Sequence, residues 1–183
     1  FGENYLQEAL IKIEQLQDLN LIWHFIGPIQ SNKTKDITQY FDWVHSVDRS
    51  KIIQRLSKQR PTDLPPLNIC IQVNIDNEES KSGINENAII PLAEQIDLLD
   101  NLTLRGLMII PSKTDDIEHQ RHSFHKAHTI YQQLCAKYPT IDTLSMGMSN
   151  DMTTAISEGS TMIRIGSAIF GQRTTKPSSG QVN

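Results

Sequence analysis

Six short runs rich in apolar and β-branched residues recur along the chain. They are IWHFIG (22–27), WVHSV (43–47), NICIQVNI (68–75), TLRGLMII (103–110), TLSMGM (143–148) and TMIRIGSAIF (161–170). Longer stretches with helical spacing separate them. In the first stretch Leu6, Leu10, Ile13 and Leu16 share one face, and 31–40, 48–59, 86–99, 117–138 and 149–158 read similarly. Strands apolar on both faces, each followed by a helix, require a parallel sheet covered by helices. A repeat of about 30 residues per unit suits a (β/α) barrel better than an open sheet. A doubly wound sheet is the alternative, weakened because no GxGxxG follows the first strand.

A closed (β/α)8 barrel of the TIM type needs eight strands, and six runs plus a possible stub at FGEN fall short. The 183 residues also lie below the usual minimum of about 200 for this fold. The expectation is therefore a barrel whose first one to two β–α units precede Phe1. The barrel domain is expected over 1–173, with a disordered polar tail, TTKPSSGQVN, over 174–183. Pro61, Pro65 and Pro66 bound the third helix, and Asp48 and Ser149 each follow a β run as candidate N-caps.

Composition excludes several function classes. A formal charge of −4 lacks the basic stripe of a nucleic-acid scaffold. No apolar run approaches the roughly 18 residues of a membrane span. With 38% hydrophobic and 21% charged residues the chain reads as a soluble globular protein. Cys70 and Cys135 lack metal or redox spacing and read as reduced thiols of a cytoplasmic protein. No apolar surface patch is evident in the pattern, which favours a monomer.

Function in a barrel gathers at the C-terminal ends of strands. Four such ends stand out: HFIGPIQSNK, QVNIDNEESKSG, SMGMSNDM and RIGSAIFG. Ser149 sits where a strand gives way to a helix, so it is either a plain N-cap or part of a phosphate seat. Gly166 and Ser167 follow the last strand, where a glycine admits an anion close to the backbone and a hydroxyl adds a donor. Barrels often bind phosphate with the loops after their last two strands.

Arg164 interrupts an apolar run, and alternation points it away from Ile163 and Ile165, into the barrel. A buried guanidinium needs a partner, either an internal carboxylate or an acceptor on a ligand such as a ring nitrogen. His24 is either a hydrogen-bonded core histidine or a ligand contact, and Asn4 and Asn74 lie near strand ends facing the same space. His119, His122, His125 and His128 invite a metal reading. Steps of three rotate about −60° around a helix, so the outer pair diverge and a solvated face is the better account.

These residues resemble a known family. FGENYLQEAL, WHFIGPIQSNK, NEESKSG, RGLM, LSMGMSNDM and STMIRIGSAIFG, in this order from residue 1 to about 173, are similar to the pyridoxal phosphate homeostasis proteins. The resemblance implies a barrel like the N-terminal domain of alanine racemase. It also implies binding of pyridoxal 5′-phosphate (PLP) and a part in vitamin B6 balance without established catalysis, with PLP-dependent apoenzymes as possible recipients. Carried over, Ser149, Gly166 and Ser167 hold the phosphate and Arg164 faces the pyridine nitrogen, which is left unprotonated and a poor electron sink. Asn4 and His24 complete the expected cofactor-binding set. Many relatives have threonine at 167, where this chain has serine. The family's Schiff-base lysine falls before FGENY, and neither Lys33 nor Lys81 matches it. Two alternatives remain. A racemase-like enzyme would need a second acid or base, for which no second domain is visible. A barrel for another phosphorylated metabolite or a protein partner is the other.

Overall fold

The computed structural model describes residues 1–171; residues 172–183, which contain the expected domain end and polar tail, lie outside the described residues. Seven strands form one sheet: β1 (Gly2–Glu3), β2 (His24–Phe25), β3 (Trp43–Val47), β4 (Leu67–Val73), β5 (Leu102–Ile109), β6 (Thr143–Met148) and β7 (Met162–Arg164). The helices between and after them are α1 (Leu6–Gln15), α2 (Thr34–Tyr40), α3 (Ser50–Gln59), α4 (Ile89–Asp97), α5 (Ile117–Lys137), α6 (Met152–Ser157) and α7 (Ser167–Phe170). Single 3₁₀ turns at Ser31–Lys33 and Glu86–Ala88 lead into α2 and α4.

Every strand pairs in parallel with its sequence neighbour, in the order β1 through β7. This singly wound order is that of a (β/α) barrel and removes the doubly wound alternative, whose order reverses at a switch point. The sheet is tightly curled. In a flat sheet β3 and β6 would lie about 14 Å apart, three strand spacings. Here the His45 imidazole on β3 reaches the Ser145 hydroxyl on β6 at 3.0 Å.

Alternation divides the core. Leu67, Ile69, Ile71 and Val73 of β4 face outward into a large apolar layer shared with Ile53 and Leu56 of α3, Ala93 and Ile96 of α4, and Phe124 and Leu134 of α5. Inside, Trp43, Cys70 and Met108 form a small second cluster. The strands are thus less apolar on their inner face than the runs suggested, because His45, Gln72, Ser145 and Arg164 also belong there.

The strict period of two is interrupted three times. Register shifts fall between Val44 and Val47 in β3, opposite Ile69 and Cys70 in β5, and between Ser145 and Met148 in β6. Each adds a residue to one strand and bends it. In β5 the extra residue lies at Arg105–Gly106, so Leu104 and Leu107 both reach the outer core. Gly106 has φ +147°, and a Cβ there would stand 1.8 Å from the Thr143 carbonyl oxygen.

Helix starts depart from expectation. Asp48 is not the cap of α3: the N-cap position is Arg49, whose guanidinium Asp48 instead engages at 2.7 Å. Ser149 is not the cap of α6: that helix begins at Met152, and Asp151 turns back to accept from the Met148 amide at 2.6 Å. Asp116 does cap α5, accepting from the Glu118 and His119 amides. The last run is a strand only through Arg164. Gly166 ends the extended segment, and Ser167–Phe170 form a helical turn. Nor is the surface without large apolar side chains. Phe1, Ile11 and Ile22 are exposed at the β1 end of the sheet, and Ile169 and Phe170 beyond β7.

Replacing Gly106 with alanine combines an unfavourable φ with a backbone collision. It is expected to destabilise the fold by at least ~2 kcal/mol, read as a lowered urea midpoint. A midpoint equal to that of the parent would show that β5 does not need the bulge.

Candidate functional site

The ends of β6 and β7 bring four of the expected residues together. Ser149, one residue beyond β6, and Ser167, at the start of α7, place their hydroxyl oxygens 3.2 Å apart. Gly166 lies between Arg164 and Ser167, and a Cβ built there meets nothing within 4 Å, so the backbone borders open space. The first amides of α7 have no partner within the helix. Two hydroxyls, free amides and an open approach suit an anion with several oxygens.

Arg164 points inward, opposite to exposed Ile163. Its Nη1 donates to Ser145 Oγ at 2.8 Å and its Nη2 to the Ile109 carbonyl at 2.9 Å. The internal carboxylate considered for its partner is not what holds it: its anchors within the protein are neutral oxygens. No carboxylate among the described residues lies within ion-pair distance of it. Burial pulls its pKa down to about 10, against the opposing pull of Asp151 and Cys70, and it remains charged at neutral pH. Among the described residues two of its five N–H groups are used, which leaves donors without an ion-paired carboxylate.

His24 enters less directly. It stands at the start of β2, stacked on Trp43 with ring centroids 5.2 Å apart, and its Nδ1 lies 2.9 Å from His45 Nε2. His45 Nδ1 continues to Ser145 at 3.0 Å. His24, half-buried, is thus joined to Arg164 through two intermediaries. His45 and Ser145 were missed in the sequence, although the alternation of WVHSV and TLSMGM offered the signal.

Asn4 is exposed just past β1, and its backbone rather than its side chain makes the close approach, to Gly27. Asn74 staples its own loop, with Nδ2 donating to the Glu78 carbonyl and Oδ1 accepting from the Glu78 amide. Lys81 donates to the Pro111 carbonyl at 2.6 Å, bridging the loops after β4 and β5. The α5 histidines do not converge: His125 contacts Glu158, and His128 packs on Tyr131. Among the described residues no group of three or more His, Cys, Asp or Glu is arranged to hold a metal ion. No described helix is long and apolar enough to cross a membrane.

The two interior histidines are held neutral. Burial brings His24 down to about 4 and His45 to about 3, from 6.5. A depressed folded pKa means that the unfolded chain takes up the proton first as pH falls. His45 thus contributes stability that is complete above pH 6.5 and lost on acidification toward its folded value. The loss from this residue is about 2 kcal/mol by pH 5. The urea midpoint is expected to fall between pH 7 and pH 5, and to fall less in His45→Asn. An equal fall in that variant would assign the acid sensitivity to other groups.

The whole described chain matches a family model, alanine racemase, N-terminal domain, over residues 1–174. The chain is 57% identical over 177 residues to the pyridoxal phosphate homeostasis protein of Vibrio alginolyticus, covering 94% of this chain and 76% of the relative. It is 56% identical over 177 residues to the protein of that name from Vibrio cholerae, covering 94% and 75%. Among solved structures it is similar to PipY of Synechococcus elongatus with PLP bound. The TM-score is 0.85 at 34% identity, over 93% of this chain and 81% of PipY. The chain belongs to the alanine racemase N-terminal domain family and, within it, to the pyridoxal phosphate homeostasis proteins.

Proposed function

We propose that this chain binds PLP at the ends of β6 and β7 and serves to hold the cofactor rather than to turn over a substrate. The observation that carries the reading is the Ser149–Ser167 hydroxyl pair, 3.2 Å apart, beside the open approach at Gly166. These three residues hold the phosphate, and Arg164 meets the ring nitrogen. The site fits the group: the guanidinium has donors to spare and no carboxylate sharing its charge, and the hydroxyl pair is exposed.

Bound there, the cofactor supplies an aldehyde and an electron-withdrawing ring. The chain's own contribution is to restrain that ring. Arginine only donates, so a ring nitrogen facing it accepts a hydrogen bond and stays unprotonated, which weakens electron withdrawal. That favours retention and delivery to PLP-dependent apoenzymes, in the cytoplasm, where the free thiols Cys70 and Cys135 remain reduced. Asn4 and His24 stay in the proposed cofactor-binding set, His24 through its line to Arg164 by way of His45 and Ser145.

The test is a calorimetric titration of the chain with PLP and with pyridoxal, which lacks the phosphate. PLP is expected to bind and pyridoxal to bind far more weakly. Ser149→Ala with Ser167→Ala is expected to lower PLP affinity about tenfold to a hundredfold, the loss of hydrogen bonds to a charged group. Unchanged affinity in the double variant would move the phosphate elsewhere. Rapid exchange of amino-acid α-protons in deuterated water with PLP present would favour a racemase-like enzyme over a holding protein.

A further inference from the structure

Inside the barrel four polar side chains lie in one line, from His24 through His45 and Ser145 to Arg164, and donor counting orients every hydrogen in it. Arginine has no acceptor, so Ser145 Oγ accepts from Arg164 Nη1 at 2.8 Å. Ser145 is fully buried, and its other partner among the described residues is His45 Nδ1 at 3.0 Å. Were Nδ1 protonated, the serine would accept twice and bury its own hydrogen without an acceptor. The hydroxyl therefore donates to a bare Nδ1. His45 then carries its hydrogen on Nε2 and donates it to His24 Nδ1 at 2.9 Å, which leaves His24 protonated on Nε2 as well.

This assignment gives each bond in the line one donor and one acceptor and requires both rings to be neutral, the state that burial enforces. A hydroxyl that accepts from a cation is also a better donor to the next base, so each bond strengthens its neighbour. The line crosses from β7 through β6 and β3 to β2. It ties the guanidinium to the opposite wall, while the Ile109 carbonyl on β5 fixes the second nitrogen at 2.9 Å.

We propose that Ser145 and His45 are positioning residues for Arg164, the one-way hydrogen-bond line holding the guanidinium still so that its remaining N–H groups are presented to the ligand ring. The identity of that ligand rests on the PLP reading above; the orientation of the line does not. A neutral acceptor at the far side of Ser145 is the essential feature. A carboxylate there would share the positive charge, and an apolar residue would leave the hydroxyl free to turn away from its present partner.

The experiment is nitrogen-15 NMR on the ligand-free chain, followed by titration with PLP and with inorganic phosphate. In the parent, His24 and His45 are expected as Nε2–H tautomers, with slow rotation of the Arg164 guanidinium. In Ser145→Ala that rotation is expected to quicken and PLP affinity to drop about tenfold, while inorganic phosphate binds within about twofold of the parent. Ser145→Thr, which keeps the hydroxyl, is expected to restore both. A proton on His45 Nδ1 in the parent, a measurement that needs no variant, overturns the proposal. So does Arg164 rotation unchanged in Ser145→Ala. A parent with the stated tautomers and a restrained guanidinium but no PLP uptake would retain the positioning line and reject the PLP reading.

Discussion

A guanidinium held inside a curled sheet by neutral oxygens alone is the constraint from which the rest of the interior follows. Taking Arg164 out of water without a carboxylate demands compensation by hydrogen bonds, and these come from the Ser145 hydroxyl and the Ile109 carbonyl. Supplying them requires β5, β6 and β7 to wrap around one point, and extending them through His45 brings β3 to the same place. Curvature and polar interior are therefore linked. Among the described residues no carboxylate pairs with that charge.

The outer face operates by different physics. Its apolar layer is continuous from Leu6 to Ala155 and supplies the non-directional driving force that closes helices onto the sheet. Directional bonding inside and apolar burial outside coexist because the strands alternate. Three bulges adjust that alternation where a simple period of two would point the wrong side chains inward. Gly106 shows the backbone cost of such an adjustment, since no larger residue fits against Thr143 at that φ. Gly147, at φ +95°, does the same in β6, where a Cβ would collide with Ala155.

Much of this was legible beforehand. The β runs and helical stretches stand close to where the sequence put them, and the stub at FGEN is β1. Arg164 faces inward, and Ser149, Gly166 and Ser167 gather beside it. The failures share a cause. Asp48 and Ser149 have the chemistry of N-caps, but cap geometry depends on where the chain turns, and here the cap positions fall one residue later at Arg49 and two later at Asp151. The sixth run reads as one strand to Phe170 by hydrophobicity, yet Gly166 ends it and the remainder coils. His45 and Ser145 went unnoticed because each looks like an ordinary strand residue until the other is placed opposite.

Periodicity determined the fold class, and the resemblance carried by the ordered motifs pointed to the family and to a candidate site, because burial pattern and chain order are local properties of a sequence. Tertiary structure alone decided what meets Arg164. Its partners lie 19 residues back on β6 and 55 back on β5, and the His45 that faces Ser145 is a further 100 residues away. Hydrogen bonds of this kind depend on distance and direction to within fractions of an ångström, which only the curl and bulges of the assembled sheet can set.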